Sequence, residues 1–470
     1  MSPQSARNKQ FYWQIIIAPC AIAAALLLGR VGAIARLPVL AVVIAFFVTM
    51  GVAFVRGTEG LYLIIFAMLF SPEISSGIAT GRTGGEGAGR VVLRLEDVIM
   101  FAVVLGWILR SAYHGRRFAI LKTPINASIW IYVAASIVAT LLGVLRGSVG
   151  AFWAGFFHNL RYFEYFLLFF MILAHVREKT EIKRMIWAMF IVFGLAMLYG
   201  YAQIGTGVRV SAPFDAEPNT FGGYIVLLTC LAAGIALVDT RARIRFTMVG
   251  LILLALPPLM FTLSRASYLA LIAGFFAFLA VSHHRVLIGA VAVAFVAAMM
   301  LGMPLFPEKV QERVAGTFEA ERQYHVQIAG VDFDASSSAR IISYQQAVKK
   351  WMGSPVIGYG VTGSHFIDGQ YPRLLVETGV VGLAAFLIIF LRLLREVRIV
   401  YRGASDPTLK GAAMGFFCGT LALLAHGTAA NSFIIVRIAE PFWLLAALIL
   451  LIPSAEEEGE QNATSEASPA

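Results

Sequence analysis

Residues 373–391 read RLLVETGVVGLAAFLIIFL, and this stretch decides the fold. From Thr378 to Leu391 it holds no charged side chain. As a helix rising 1.5 Å per residue, the whole stretch spans most of a hydrocarbon core of about 30 Å. It neither alternates in polarity nor breaks into strand-length pieces, which excludes a transmembrane barrel. Arg392, Arg395, Arg398 and Arg402 follow at once, the pattern of a membrane helix meeting a water boundary.

The rest of the chain repeats this pattern. Of 470 residues, 59% are hydrophobic and 14% charged, against about a quarter charged in a soluble domain. Further apolar runs of helix length lie at about 13–29, 37–55, 60–73, 95–110, 125–145, 160–175, 185–204, 220–238, 246–262, 266–282, 286–305, 410–427 and 433–452. The expected fold is all-α, a polytopic transmembrane helix bundle of about 12–14 helices. N-terminal transmembrane helices occupy 1–305, a long outer loop 306–372, C-terminal transmembrane helices 373–452, and an acidic, disordered cytoplasmic tail 453–470. The basic start and apolar run of residues 1–30 read as a permanent first helix in preference to a signal peptide, because the chain behind them is itself membrane.

The net charge of +10 would suit nucleic acid, but Lys and Arg lie in short clusters between apolar runs. They are topology signals, and no nucleic acid is expected. With a cytoplasmic N-terminus the short inner connections hold about twice the Lys and Arg of the short outer ones, and both termini are cytoplasmic. Arg30 and Arg36 fall outside and oppose this mildly. Cys20, Cys230 and Cys418 stand singly within helices and read as packing residues.

An ionisable group at a membrane helix centre costs about 2.5 to 3.5 kcal/mol, so such groups are functional candidates by default. They gather toward the outer face: His158, Arg161 and Glu164; Asp215, Glu217 and Asn219; Arg265; Arg373 and Glu377; His426 and Asn431, with Arg437 and Glu440 slightly deeper. Arg161 can also snorkel from its helix end, and Glu377 can form a structural bridge with Arg373 one turn away. Arg265 has apolar neighbours and no basic partner nearby. Residues 71–94, rich in glycine, read as a flexible loop. In the long loop, Ser336, Ser337 and Ser338 are N-cap candidates for an amphipathic helix with Ile341, Tyr344, Val348 and Trp351 on one face, ended by Gly353 and Pro355. Trp351 is expected to anchor this helix at the membrane interface. Asp332 and Asp334 form an Asp-x-Asp that reads as solvated, so neither a metal nor a cofactor is expected.

The segment Ser338 to Gly382, SARIISYQQAVKKWMGSPVIGYGVTGSHFIDGQYPRLLVETGVVG, resembles the O-antigen ligase and Wzy polysaccharide polymerase superfamily. Its features are an Arg-containing amphipathic helix, a Pro-x-x-Gly-x-Gly turn, a stretch bearing His or Asp, then Tyr and Glu-x-Gly entering the next helix. LRYFEYFLLFF at 160–170, APFDAEPNTFGGY at 212–224 and TLSRASYLAL at 262–271 are similar too. The likeness runs from about residue 90 to 440.

The resemblance implies a membrane glycosyltransferase of the GT-C type in the bacterial inner membrane, acting at the periplasmic face on glycans carried by undecaprenyl diphosphate. Arg265, with Arg161 or Arg340, would grip the diphosphate. His365, or failing it Asp368, would take the proton from the acceptor hydroxyl. Tyr371, Arg373, Glu377, Glu217 and Asn219 would support them. His365 is followed by Phe366, Ile367 and Asp368 where ligases of the superfamily commonly place Asn, and this departure favours polymerisation of repeat units over ligation to lipid A core or protein. A flippase upstream and a chain-length regulator are the partners implied, besides the lipid bilayer itself. The rival class is a transporter of the same lipid-linked sugars, which would place charges at mid-membrane in repeated halves.

Overall fold

The computed structural model describes residues 37–74, 93–113, 122–150, 152–283, 286, 289–290, 327–328, 331–332, 335–365 and 367–458. The expected spans at 13–29 and 286–305, Cys20, Asp334, residues 75–92, most of the long loop before Ala335 and the tail beyond Glu458 lie outside them, apart from a few isolated positions.

The described residues form thirteen helices, twelve from the apolar runs and α10 from the long loop: α1 (Leu37–Val55), α2 (Glu59–Phe70), α3 (Leu95–Tyr113), α4 (Asn126–Leu145), α5 (Phe152–His175), α6 (Lys179–Gln203), α7 (Pro218–Val238), α8 (Ala242–Phe261), α9 (Arg265–Val281), α10 (Ala335–Trp351), α11 (Gln370–Gly403), α12 (Pro407–His426) and α13 (Val436–Leu450). Among the described residues seven helices are long and apolar enough to cross a membrane: α4, α6, α7, α8, α11, α12 and the run Val436–Glu458 that begins with α13. The extended pieces are only two residues long, such as Gln327–Ile328 paired antiparallel with Val331–Asp332. The polytopic helical bundle expected from sequence is therefore what forms.

The chain divides into two compact units, Met1–Ala67 with Leu93–Phe118, and Met68–Val92 with Ala119–Ala470. In the smaller one, α1 and α3 approach closely at Gly106, where an added Cβ would meet the Met50 carbonyl at 2.7 Å. Arg110 at the end of α3 donates to the Val55 carbonyl (3.0 Å).

In the larger unit α7 is the hub. It is apolar on all sides and buried along nearly its whole length, as befits a central helix. Backbone meets backbone where it crosses α12: a Cβ on Gly234 would lie 2.3 Å from the Gly411 carbonyl, and one on Gly415 would lie 2.5 Å from the Cys230 carbonyl. Small residues at spacing four on α12 allow this approach, the device by which helices associate in lipid without a hydrophobic driving force between them. Cys230 and Cys418 are buried at this seam as packing residues. Rings from α11, α13 and the turn before α13 fill the core beside it, with Phe390 and Phe433 centroids 4.4 Å apart and Phe416 and Phe442 5.1 Å apart.

One end of this unit is a basic, cross-braced surface. Asp239, fully buried at the C-cap of α7, accepts from Arg241 (3.0 and 2.8 Å) and from Thr408 of α12 (2.5 Å). Burial would raise its carboxyl, but the Arg241 and Thr408 hydrogen bonds outweigh that and bring it down to about 2. Asp406 caps α12 and pairs with Lys183 of α6 (2.5 Å).

Several boundaries differ from the sequence reading. The chain remains helical to Glu458 where a polar tail was expected from Pro453, because Glu456 accepts from the backbone amides of Ser405 and Asp406 (3.1 and 3.0 Å) and pairs with Lys179 (3.5 Å). Helix α10 starts at Ala335, so the three serines lie within its first turn and do not cap it. Trp351 packs on Ala347, Ile367 and Val376 and donates to the Pro355 carbonyl (3.0 Å).

Candidate functional site

At the opposite end of the larger unit three hydrogen-bonded seams surround Glu217, Asn219, Asp368, Tyr371, Arg373 and Glu377, all singled out from sequence.

The first seam joins α7, α9 and α12. Ser264 is the N-cap of α9 and accepts from the Ser267 amide, which places Arg265 as the first helical residue. Ser264 Oγ donates to Asn219 Oδ1 (2.8 Å), and Asn219 Nδ2 donates to Glu217 (2.7 Å). Ser267 Oγ bonds Ser264 Oγ (2.8 Å) and lies 3.2 Å from His426 Nε2, while His426 Nδ1 lies 2.7 Å from Ser432 Oγ. The chain thus runs from exposed Glu217 to a fully buried histidine. Close packing at Gly222 and Gly223 belongs to the same seam, since a Cβ on Gly223 would lie 3.2 Å from the His426 ring.

The second seam explains the Pro-x-x-Gly-x-Gly motif. Helix α11 breaks at Gly379 (φ 66°), freeing carbonyls that a continuous helix would consume. The returning segment 355–360 takes them: Tyr359 N donates to Val376 O (2.9 Å) and Gly360 N to Glu377 O (2.8 Å), while Val380 N donates to Pro355 O (2.9 Å). A Cβ on Gly358 would sit 2.7 Å from the Glu377 carbonyl, and Gly358 and Gly360 both have positive φ, so glycine is required at both. Ser148 Oγ donates to the Tyr359 carbonyl (2.8 Å), and Thr140 Oγ1, held by Asn159, accepts from Val361 N (3.2 Å). Irregular backbone at membrane depth is tolerated where protein satisfies it in this way.

The third seam is a set of cationic clamps. The non-glycine residues at positive φ among the described residues are Phe214, Leu263 and Thr362, all in turns at this end. Each turn is held by one cation donating to carbonyls. Arg437, fully buried in α13, donates to Leu69, Pro213, Ser71 and Phe214 (2.5, 2.6, 3.2 and 3.3 Å) and pairs with Asp215 (3.2 Å). Arg209 donates to Thr262 and Leu263 (2.8 and 3.2 Å). Lys350 donates to the Gly363 carbonyl (3.0 Å), beside Thr362, and lies over the Tyr359 ring. Strained conformations of this kind persist where the surroundings over-determine them, and they concentrate at functional sites.

Within this frame His365 is exposed and Asp368 half-buried, three residues apart on the loop that enters α11. The Asp368 amide reaches Ser343 Oγ of α10 (3.4 Å), and the Ile367 carbonyl accepts from Asn431 (3.1 Å). Tyr344 of α10 bonds the Thr428 carbonyl. Burial pushes its phenol above the ordinary range, with Arg340 opposing and Asp368 adding, so both charges lie within electrostatic reach of one ring. Arg161 is half-buried on α5. Its neighbour Tyr162 accepts from Arg373 Nη2 (2.9 Å) and reaches Glu377 (3.4 Å), and Arg373 pairs with Glu377 (3.0 Å). This trio is the structural bridge anticipated for Arg373 and Glu377. Tyr371 donates to the Leu424 carbonyl (2.5 Å) and ties α11 to α12. The sequence reading passed over Arg209 and Lys350, and named His426 and Arg437 only among the ionisable groups toward the outer face, without a specific role.

A helical membrane bundle with arginines, a loop histidine and a carboxylate collected at one end defines a polytopic membrane protein with a one-sided polar site. Residues 249–387, from within α8 to the middle of α11, match the family model described as O-antigen ligase, in keeping with the resemblance to the O-antigen ligase and Wzy superfamily. Arg265, Arg340, His365, Asp368, Tyr371, Arg373 and Glu377 lie within the match; Arg161, Glu217 and Asn219 lie before it. No curated protein matches the chain.

Proposed function

We propose that this membrane protein, whose family relates it to O-antigen and polysaccharide assembly, is a glycosyltransferase. It polymerises undecaprenyl-diphosphate-linked repeat units at the periplasmic face of the bacterial inner membrane. What supports this reading is that Arg265, Arg340 and His365 all fall within the segment that matches the O-antigen ligase family model. The basic end carrying Lys183, Arg241 and the arginines of α11 lies opposite and suits the cytoplasmic side.

A donor available outside the cytoplasm must bring its own leaving group. Arg265 and Arg340, with Arg161 at the edge, neutralise the diphosphate as the bond between the anomeric carbon and the phosphate oxygen breaks. His365 takes the proton of the acceptor hydroxyl while that oxygen forms the new glycosidic bond, with Asp368 as its neighbour on the same loop. The lipid diphosphate departs carrying the electron pair.

The family description favours a second reading, in which an existing polymer is ligated to lipid A core or protein. The size-resolved profile of lipid-linked and free glycan in cells lacking the protein separates them. Accumulated single lipid-linked units with loss of long polymer support polymerisation. Long polymer retained on its lipid carrier supports ligation, and an unchanged profile overturns both.

A further inference from the structure

Helix α11 changes character along one face. On its solvent- or lipid-exposed side Val380, Val381, Leu387, Ile388 and Leu391 are 39–67% exposed, the ordinary surface of a helix in lipid. From Arg392 the same face carries Arg392, Arg395, Arg398 and Arg402, all exposed. Spacings of three, three and four residues confine them to an arc of about 120° at 3.6 residues per turn. Leu393, Val397 and Val400 on the opposite side stay buried against the bundle, so the stripe cannot rotate away. Among the described residues no ion pair joins any of the four to a carboxylate, Glu396 included. From Gln370 to Leu391 an unbroken helix would rise about 32 Å, about one hydrocarbon thickness. The arginines therefore stand at headgroup depth with their guanidinium groups uncommitted, and exposed Ile399 (54%) remains among them to face the acyl boundary.

We propose that the arginine stripe of α11 is a docking surface for anionic phospholipid headgroups. Charge complementarity and depth commit it to lipid: a guanidinium fork matches a phosphodiester, and an apolar side chain between the arginines suits a partner that is part acyl chain. The proposal is independent of the reaction catalysed at the other end.

The test titrates phosphatidylglycerol, and separately phosphatidylcholine, into the full-length protein in neutral detergent and follows the thermal unfolding midpoint. The midpoint should rise with phosphatidylglycerol and not with phosphatidylcholine, and salt should suppress the rise. The variant R392Q/R395Q/R398Q/R402Q should need at least about tenfold more phosphatidylglycerol for the same rise, at about fivefold per arginine as an upper bound. The corresponding four-lysine variant, which keeps the charge and loses the guanidinium fork, should fall between the two. If the glutamine variant does not fold, R395Q and R402Q singly should each show the smaller shift. A glutamine variant that responds as the wild type does would overturn the proposal. So would a wild type indifferent to the two lipids, which would leave the stripe to a soluble acidic partner.

Discussion

Arg209 donates to the carbonyl of Leu263 at 3.2 Å, two residues before Arg265. With its second bond, to Thr262, and with Val210 N donating to Phe261 O (2.9 Å), it fixes a turn whose central residue sits at positive φ. The clamp therefore sets where Arg265 leaves the turn. Replacing Arg209 by Gln should lower the rate of polymer formation in isolated membranes by about 10²-fold, the scale of a misplacement near 1 Å. Thermal unfolding of the purified protein should move by only a few degrees. Loss of folding with no separate loss of rate would reduce the clamp to a structural part.

Arg265 itself should not tolerate lysine. A point charge cannot reproduce a two-pronged grip on phosphate oxygens, so Arg265→Lys should lose about 10²-fold in chain growth while the lipid-linked repeat unit still reaches the periplasm. Retention of the unit in the cytoplasm would instead favour transport over transfer.

His365 and Asp368 can be told apart by rate. If His365 is the base, His365→Ala should cost about 10²- to 10⁴-fold, the range for general-base removal, and Asp368→Asn much less. The reverse order in the same polymerisation assay would assign the proton to Asp368.

Packing at the α7–α12 crossing predicts a stability effect remote from chemistry. A leucine at Gly415 would push against the Cys230 and Leu231 backbone, where even a Cβ meets atoms at 2.5 to 2.8 Å. The expected cost is about 1–3 kcal/mol or more, read as a lowered unfolding temperature in detergent.

At the braced end, Asp239 makes stability acid-sensitive. Its carboxyl titrates lower in the folded protein, near 2, than in an unfolded chain. Its contribution is therefore complete above about pH 4 and fades as the pH falls toward 2. Half-exposure of Arg241 screens the pair, so the loss should be on the order of 1 kcal/mol. Asp239→Asn should be less stable at neutral pH and should flatten this part of the acid-unfolding curve.

The bundle was legible in the sequence because lipid imposes length and polarity on each helix separately, and Leu37–Val55 and Pro218–Val238 fall within two residues of the apolar runs. Helix α11 outran its run because Val397 and Val400 bury one face against protein after the other face has turned to arginine. The candidate site was legible where charge stood out against apolar surroundings, as at Arg265 and Arg373. It was hidden where the partner is a main-chain carbonyl. Arg209 and Lys350 act on Leu263 and Gly363, and no side-chain pattern records such a bond. His426 was visible as a polar residue at a helix end, but its serine neighbours Ser267 and Ser432 arrive from distant parts of the chain or from beyond a turn.

The break at Gly379 also bears on how the chain is assembled as it is made. The carbonyls of Val376 and Glu377 can be capped only by a segment synthesised just before them, and that segment rests on Ser148 and Thr140, which by then are already placed. Helices α4 and α5 thus wait as a mould, and the 355–361 turn is cast against them when α11 arrives. The end that carries the candidate site closes only once α11 has been made, and a chain truncated before it would lack this turn's backbone partners.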